Sequence, residues 1–239
     1  MVVPVVKFPI FLCVRSLSVL ILILVLIWNV HYRGGLALFS KNKALLFNVH
    51  PVMMVTGLLL LNGEAMIAYK TISGTKTFKK LVHLSLQFLA FILSLIGLWA
   101  VWKFHNDKGI GNFYSLHSWL GLASLLLFAI QWGVGFATFW CSCGSTKFKG
   151  SLMTWHMFFG VYIYTLALAS CITGVLGKMT FLQMHKIISH YCVEAILVNV
   201  LGVLMVVLGG FVIFGVVSPT NGKGDVVLGS IELEEQAMV

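Results

Sequence analysis

Six membrane-spanning helices are the fold that this sequence predicts, and three observations lead to that prediction. Of its 239 residues, 59% are hydrophobic and only 10% are charged. The mean hydropathy is +1.00, whereas a water-soluble domain of this length needs a larger polar surface. Six apolar runs also reach the roughly 20 residues that a helix needs to cross about 30 Å of hydrocarbon.

The six apolar runs are separated by short polar connections. In order they are Leu12–Val30, Val49–Tyr69, Leu81–Trp102, Tyr114–Trp140, Leu152–Leu176 and Ala195–Val217. They are continuous, whereas the strands of a membrane barrel would alternate apolar and polar residues. The first run is too long for a signal peptide and lacks a small-residue cleavage site, so we expect a retained helix. Residues 1–239 are thus predicted to form one all-α integral membrane domain with a short polar tail at 218–239.

The basic residues predict the orientation and the surroundings of the chain. Lysine and arginine are almost balanced between the two sides, but the compact Lys70–Lys80 segment lies next to two membrane ends. The positive-inside rule assigns such a segment to the cytosol, which predicts cytosolic N- and C-termini. The net charge of +9 comes from basic residues next to the membrane lipid and not from a separate basic domain. No nucleic-acid partner is therefore expected. The plasma membrane or an endomembrane of the vacuolar type is the expected location.

Four histidines occupy equivalent positions in the sequence. His50, His83, His117 and His156 each lie within about one turn of the start of an apolar run, in the second to fifth helices. Because consecutive spanning helices run antiparallel, His50 and His117 are predicted at one membrane face and His83 and His156 at the other. Ionisable residues inside membranes are costly and usually functional.

The topology of a four-helix bundle predicts how these histidines pair. In an up-down bundle of helices 2–5, helices 2 and 4 lie on one diagonal and helices 3 and 5 on the other. Two imidazoles without a nearby carboxylate or thiolate suit haem iron better than zinc. We therefore expect two bis-histidine haems, one near each face and roughly 20 Å apart given the bilayer thickness. Helices 1 and 6 have no comparable histidine and are predicted to flank the bundle.

Several motifs around these histidines resemble a known family. "NFYSLHSWLG" at His117 resembles the "SLHSW" signature of the cytochrome b561 family, and "GEAMIAYK" after the second helix resembles its "ALLVYR" signature. "NVHPVMM" at His50, "KKLVHL" at His83 and "WHMFFG" at His156 also fit the family. The resemblance covers nearly the whole chain and is nearest to the plant members that ascorbate reduces.

The resemblance implies both the cofactors and the reaction. Family members hold two non-covalent haem b groups (iron protoporphyrin IX) between histidine pairs. Cytosolic ascorbate reduces the inner haem, the electron passes to the outer haem, and that haem reduces monodehydroascorbate or ferric chelates on the other side. The chain is accordingly expected to be an ascorbate-dependent transmembrane ferrireductase or monodehydroascorbate reductase.

Lysines at the inner face are candidate ascorbate contacts. Lys76, Lys79 and Lys80 precede His83 by seven, four and three residues, and Lys149 precedes His156 by seven. On a continuous helix these offsets lie on the face of the histidine, and cations there would attract the ascorbate anion. Ordinary positive-inside anchoring is the alternative interpretation. Lys70 stands where the family signature has arginine, and is expected to hold a haem propionate or substrate.

Candidate residues at the outer face surround His117 and the end of the third helix. His105 resembles the outer-site histidine of the family and, with Asn106, is predicted to contact the non-cytosolic substrate. Phe113 and Tyr114 precede His117 by four and three residues, so on a helix both would lie against the outer haem. Ser115 and Ser118 are predicted to donate further hydrogen bonds to that haem.

The sequence leaves two other classes of protein possible, and it allows the chain to form a homodimer. The histidines could form a relay in a metal or proton transporter, although transporters more often have acids at mid-membrane and helices broken by proline or glycine. The chain could also be a haem-binding structural subunit of a larger complex, which the lysines disfavour. The small residues of "LGGFVIFG" in the sixth helix allow a homodimer.

Overall fold

The six predicted spans are confirmed in the computed structural model, which describes residues 10–141 and 144–218. Each span is one long apolar helix, and the bounds are α1 Ile10–Tyr32, α2 Lys43–Thr71, α3 Lys76–Lys108, α4 Leu116–Trp140, α5 Thr146–Met184 and α6 Val193–Val217. Residues 1–9 and the tail from 219 onward, on which the expectation of cytosolic termini depends, lie outside the described residues.

Two of the helices are longer than their apolar runs because capping side chains determine where they start. The Thr75 hydroxyl accepts the Phe78 N–H and begins α3, while the Ser145 hydroxyl accepts the Phe148 N–H and begins α5. Such caps satisfy backbone donors that the helix leaves free. Apolar length measures only the part of a helix in lipid, so it misses these polar first turns.

Helix α4 begins later than predicted, at Leu116 and not at Tyr114. Ser115 caps this helix by accepting the Ser118 N–H at 3.2 Å, so the helix begins at Leu116. Phe113 precedes it with a φ of 57°, a left-handed conformation that a non-glycine residue adopts in a turn and not in a helix. The helical spacing that placed Phe113 and Tyr114 against His117 is therefore wrong, because both residues belong to the loop.

Helices α2 to α5 form a four-helix bundle made of two antiparallel hairpins. The α2–α3 and α4–α5 pairs pack along their lengths, and far fewer contacts join α3 to α4. As predicted, α1 and α6 flank the bundle: they pack against each other and against α2 and α5. The main core lies on this side and is built around the fully buried Ile21, Leu59, Tyr164 and Leu201.

Helix α6 is attached to the rest of the chain at both of its ends. At one end the buried Glu194 accepts hydrogen bonds from Trp28 Nε1 and the Arg33 guanidinium. At the other end the Lys70 ammonium donates to carbonyls of the last turn. Gly209 and Gly215, two residues of the predicted dimer motif, pack inside the chain against α5, α1 and α2. Most of that motif therefore stabilises the monomer, and a homodimer stays a prediction.

Helix α2 approaches α3 most closely at Gly57. This glycine lies in a π-helical segment, Val55–Leu61, which widens the turn and shifts every later residue around the helix axis. A Cβ added there would lie 2.7 Å from the backbone carbonyl oxygen of Ala90. Because the carbonyl belongs to the α3 backbone, it cannot move aside as the end of a flexible side chain could.

Gly57→Ala is therefore expected to destabilise the protein. Overpacking of this kind costs about 1–3 kcal/mol, and thermal unfolding in detergent should show a lower Tm. Gly202→Ala is the matched control, because a Cβ there meets no atom within 4 Å. Equal melting temperatures for the two variants would show that the α2–α3 contact is not tight.

Candidate functional site

His50 and His117, the pair predicted at the outer face and called the outer pair below, face each other across the bundle from α2 and α4. The His50 and His117 ring centres lie 6.0 Å apart with their planes at 86°. Each ring is held through Nδ1 by a neighbouring helix: His50 donates to the Gly97 carbonyl at 3.0 Å, and His117 to the Ser170 carbonyl at 2.9 Å. A carbonyl can only accept, so Nδ1 carries the proton and the Nε2 lone pair stays free to bind a metal.

The inner pair joins α3 to α5 in the same way. The His83 and His156 ring centres lie 6.3 Å apart at an interplanar angle of 65°. His83 Nδ1 donates to the Ala65 carbonyl at 2.8 Å. The His156 ring is packed edge-on against Phe139 at 5.4 Å, and its backbone carbonyl accepts a 2.6 Å hydrogen bond from Gln131.

The two pairs lie in opposite halves of one bundle. Ala65, which binds the inner His83, is fifteen residues beyond the outer His50 on α2. At 1.5 Å per residue this separation corresponds to about 22 Å along the helix. Both pairs therefore fit inside a hydrocarbon layer of about 30 Å, one toward each surface.

The spacing within each pair suits a metal ion bound between two imidazoles. A metal–nitrogen bond of about 2.0 Å and about 1.1 Å from nitrogen to ring centre, counted on both sides, place ring centres about 6 Å apart. Among the described residues, no group of three or more His, Cys, Asp or Glu side chains gathers to bind a bare metal ion. A two-imidazole site suits a metal whose remaining ligands come from a planar cofactor, as in bis-histidine haem.

Two glycines make room for the ring of one histidine in each pair. A Cβ on Gly174 would lie 2.7 Å from His117 Cε1, and one on Gly135 would lie 3.0 Å from His156 Cε1. Side chains larger than hydrogen at these positions would therefore press on the imidazoles. The helices can then approach the rings closely only because glycine stands at both places.

The lysines predicted at the inner face differ in their contacts. Lys80 Nζ lies 5.4 Å from the centre of the Trp140 ring, whereas Lys79 Nζ donates to the Tyr69 carbonyl at 3.1 Å. Lys76 is exposed in the first turn of α3, and Lys149 is half-buried in the first turn of α5. The two helix starts therefore bring these cations to the same membrane face as His83 and His156.

The expectation that Lys70 holds a cofactor is not met by its contacts. Its ammonium donates to the carbonyls of Gly215, Val216 and Ser218 at 2.9, 2.6 and 2.7 Å. These bonds use all three N–H donors of a lysine and satisfy carbonyls that the end of α6 leaves free. Lys70 therefore caps the end of α6 in this structure, through partners at least 145 residues away that the sequence did not indicate. A role of Lys70 toward a cofactor or substrate stays a prediction.

The candidate residues predicted at the outer face, His105 and Asn106, lie in the last turn of α3 and form a hydrogen-bonded group with Asn112 of the α3–α4 loop. His105 Nδ1 lies 3.2 Å from Asn112 Oδ1, and Asn112 Nδ2 donates to Asn106 Oδ1 at 3.0 Å. The Ser115 and Ser118 hydroxyls bind each other at 2.9 Å, so only one of the two O–H groups stays free to donate to a ligand. Tyr114 is 74% exposed, which leaves its hydroxyl in the loop and free to meet a ligand at the surface.

Several neighbours of the inner histidines are not evident from the sequence. Gly135, Gln131 and Phe139 surround His156, and the Tyr69 ring lies 5.6 Å from His83. All four lie at the far ends of other helices. A glycine or glutamine in the last third of an apolar run was the available signal, but it does not indicate which histidine the residue meets.

Six spanning helices and two facing imidazole pairs are typical of a membrane cytochrome. Residues 49–182 match the family model described as eukaryotic cytochrome b561. The chain is 64% identical to transmembrane ascorbate ferrireductase 2 of Arabidopsis thaliana over 92% of its length and 95% of that protein. It is 41% identical to probable ascorbate-specific transmembrane electron transporter 1 of Oryza sativa subsp. japonica, covering 87% and 88%. It is also 41% identical to Arabidopsis transmembrane ascorbate ferrireductase 1, covering 83% of each.

This chain belongs to the eukaryotic cytochrome b561 family. The family implies haem b as the cofactor. The geometry of the histidines is compatible with it, since each pair offers two imidazoles at a suitable spacing.

Gly174→Ala and Gly135→Ala should each lower the haem bound per chain. The added methyl group displaces the His117 or the His156 ring, and ligand orientation controls metal affinity. Haem per chain can be measured with the pyridine haemochrome assay on purified protein. Gly177→Ala and Gly133→Ala are matched controls on the same helices, because a Cβ at either position meets no atom within 4 Å. Equal haem content in all four variants would contradict the close packing of these rings.

Proposed function

We propose that this protein is an oxidoreductase that carries electrons across a membrane from cytosolic ascorbate to monodehydroascorbate or a ferric chelate on the opposite side. The observation that carries the proposal is the presence of one imidazole pair in each half of a single bundle. The relatives support the donor and the acceptor, since they are named ascorbate ferrireductases and an ascorbate-specific transmembrane electron transporter.

In this proposal His50 and His117 ligate one haem b, and His83 and His156 ligate a second. Each haem, when bound, supplies a one-electron carrier in its half of the membrane. The carbonyls of Gly97, Ala65 and Ser170 keep three of the imidazoles neutral and oriented. Such a hydrogen bond from the second ring nitrogen raises the basicity of the ligand and fixes its tautomer.

The inner lysines attract and orient ascorbate in this proposal. The ammonium groups of Lys76, Lys80 and Lys149 make no hydrogen bond with the described residues, so they are available to an anion. Lys79 contributes less, since its ammonium is bound to the Tyr69 carbonyl. A group of cations at a membrane surface raises the local concentration of an anionic substrate. The Lys70–Lys80 segment also supports cytosolic termini, through the positive-inside rule.

His105 is proposed to move a proton at the outer face. When its Nδ1 donates to Asn112 Oδ1, the Nε2 lone pair can accept a proton from a substrate. Asn112 in turn is held by Asn106, which fixes the ring orientation. This contact supports the predicted role of His105 and Asn106 toward the non-cytosolic substrate.

The acids disfavour the rival interpretation of a histidine relay in a transporter. Within residues 10–141 and 144–218 the acids are Glu64, Asp107 and Glu194. Each has a cationic partner: Glu64 has Arg15, Asp107 has Lys43 and Lys103, and Glu194 has Arg33. They also lie near the membrane borders, whereas proton relays place acids within the membrane.

Purified protein should contain two b-type haems, and His83→Ala should remove only one of them. Loss of one axial ligand weakens the inner site, while His50 and His117 keep their own contacts. Low-temperature absorption and electron paramagnetic resonance distinguish the two centres. Loss of the His50–His117 centre alone in this variant would contradict the pairing, and absence of haem from the wild type would contradict the proposed function.

Lys80→Ala should raise the ascorbate concentration needed for half-reduction. Losing one charge-assisted contact to a partly exposed anion is expected to cost about 1 kcal/mol, or severalfold in affinity. Titration of the absorbance change with ascorbate measures this concentration. Lys147→Ala is the control, because it removes an exposed charge from the same face. An unchanged titration for Lys80→Ala would reduce Lys80 to a membrane anchor.

A further inference from the structure

A separate cavity of about 280 Å³ lies at the outer end of the bundle, and neither imidazole pair lines it. It is enclosed by the end of α1, the start of α2 and the ends of α3 and α5. Its principal lining residues are Arg33, Phe47, Asn48, Phe104, Lys178 and Phe181. The cavity is near the small end of ligand-binding pockets, which measure about 300–1,000 Å³, so it suits a small molecule.

The two cations that line this cavity differ in how they are held. Arg33 is anchored, because its Nη2 donates to the buried Glu194, whose other oxygen is bound by Trp28. Asn48 further fixes the chain there by donating to the Arg33 and Gly35 carbonyls at 3.0 and 2.8 Å. The Arg33 Nη1 group makes no hydrogen bond with the described residues, so it stays available to a ligand.

Lys178 supplies a cation without a carboxylate partner among the residues that the structure describes. Its Nζ lies 4.3 Å from the centre of the Phe47 ring and 5.4 Å from that of Phe181. Aromatic faces attract an ammonium but accept none of its charge-assisted hydrogen bonds. With Arg33, Lys178 and Glu194 together the cavity keeps a net positive charge, so it favours an anion.

The aromatic wall connects this cavity to the outer histidine pair. The Phe47 ring centre lies 6.3 Å from that of His50 and 5.1 Å from that of Phe104. A ligand in the cavity is therefore separated from His50 by a single side chain. No residue of the His105–Asn112–Asn106 group lines this cavity. That group is hydrogen-bonded together where α3 ends and the α3–α4 loop begins.

We infer that this cavity binds a ferric carboxylate chelate, with its carboxylates on Arg33 and Lys178. The inference rests on the proposed function and gives the acceptor a position apart from His105. In the reaction the Fe(III) of the chelate gains one electron and becomes Fe(II), and the electron derives from ascorbate, which is oxidised to monodehydroascorbate with release of one proton. The carboxylates stay on the chelate, so no bond to the protein forms or breaks.

Binding of iron-free citrate to full-length, haem-loaded protein in nanodiscs tests the site directly. Lys178→Gln should weaken the citrate Kd measured by calorimetry about tenfold, the loss of one charge-assisted hydrogen bond. Lys178→Arg should restore most of the affinity, since it returns the charge. Lys41→Gln, which removes an exposed outer-face charge outside the cavity, should leave the Kd unchanged.

Oxidation of the pre-reduced protein supplies the second measurement. Lys178→Gln should raise the KM for ferric citrate and leave the rate with cationic hexaammineruthenium(III) unaffected. An unchanged citrate Kd would overturn the inference. A shifted midpoint potential of the outer haem with an unchanged citrate affinity would overturn it too. Arg33 and Lys178 would then bind a carboxylate of the haem and not of the chelate. If citrate binding depends on Lys178 but no iron is reduced, the site stands and the proposed function fails.

Discussion

The hydrogen bond between a histidine ring and the backbone of the next helix is the interaction on which this structure depends. An imidazole inside a membrane has two nitrogens to satisfy without water. His50 on α2 bonds to Gly97 on α3, and His83 on α3 bonds back to Ala65 on α2. These reciprocal bonds tie the first hairpin near both of its ends. In both rings the Nε2 lone pair stays free to bind a metal.

The second hairpin is tied by comparable contacts. His117 on α4 bonds to Ser170 on α5, and Gln131 on α4 bonds to the carbonyl of His156 on α5. Few contacts join α3 to α4 directly. A buried cluster of Leu58, Ala90, Phe128, Ile163 and Ala167 packs the two hairpins together across the interior, and they also meet at the facing imidazoles. A metal shared between them would join two separately stabilised hairpins. Meanwhile α1 and α6 supply the largest apolar core and can hold the bundle together on one side.

The sequence predicted the helices and the pairing of the histidines for simple physical reasons. Helix number follows from apolar length, and antiparallel order places His50 with His117 and His83 with His156. Predictions that needed a local boundary were less successful. Phe113 and Tyr114 were placed by helical spacing, but the Ser115 cap begins α4 after them. The cap that Lys70 forms at the end of α6 was not predicted either, and its role toward a cofactor stays a prediction.

By itself, the sequence determined which residues lie at which depth of the membrane, because hydrophobic length and the reversal of direction at each connection are properties of the chain alone. Only the tertiary structure decided which backbone carbonyl holds each imidazole, where glycines admit the rings, and that Arg33 and Lys178 line one cavity. Those contacts join residues at least eighteen positions apart. They depend on how the helices rotate about their axes, and the π segment in α2 changes that rotation without an evident sequence signal.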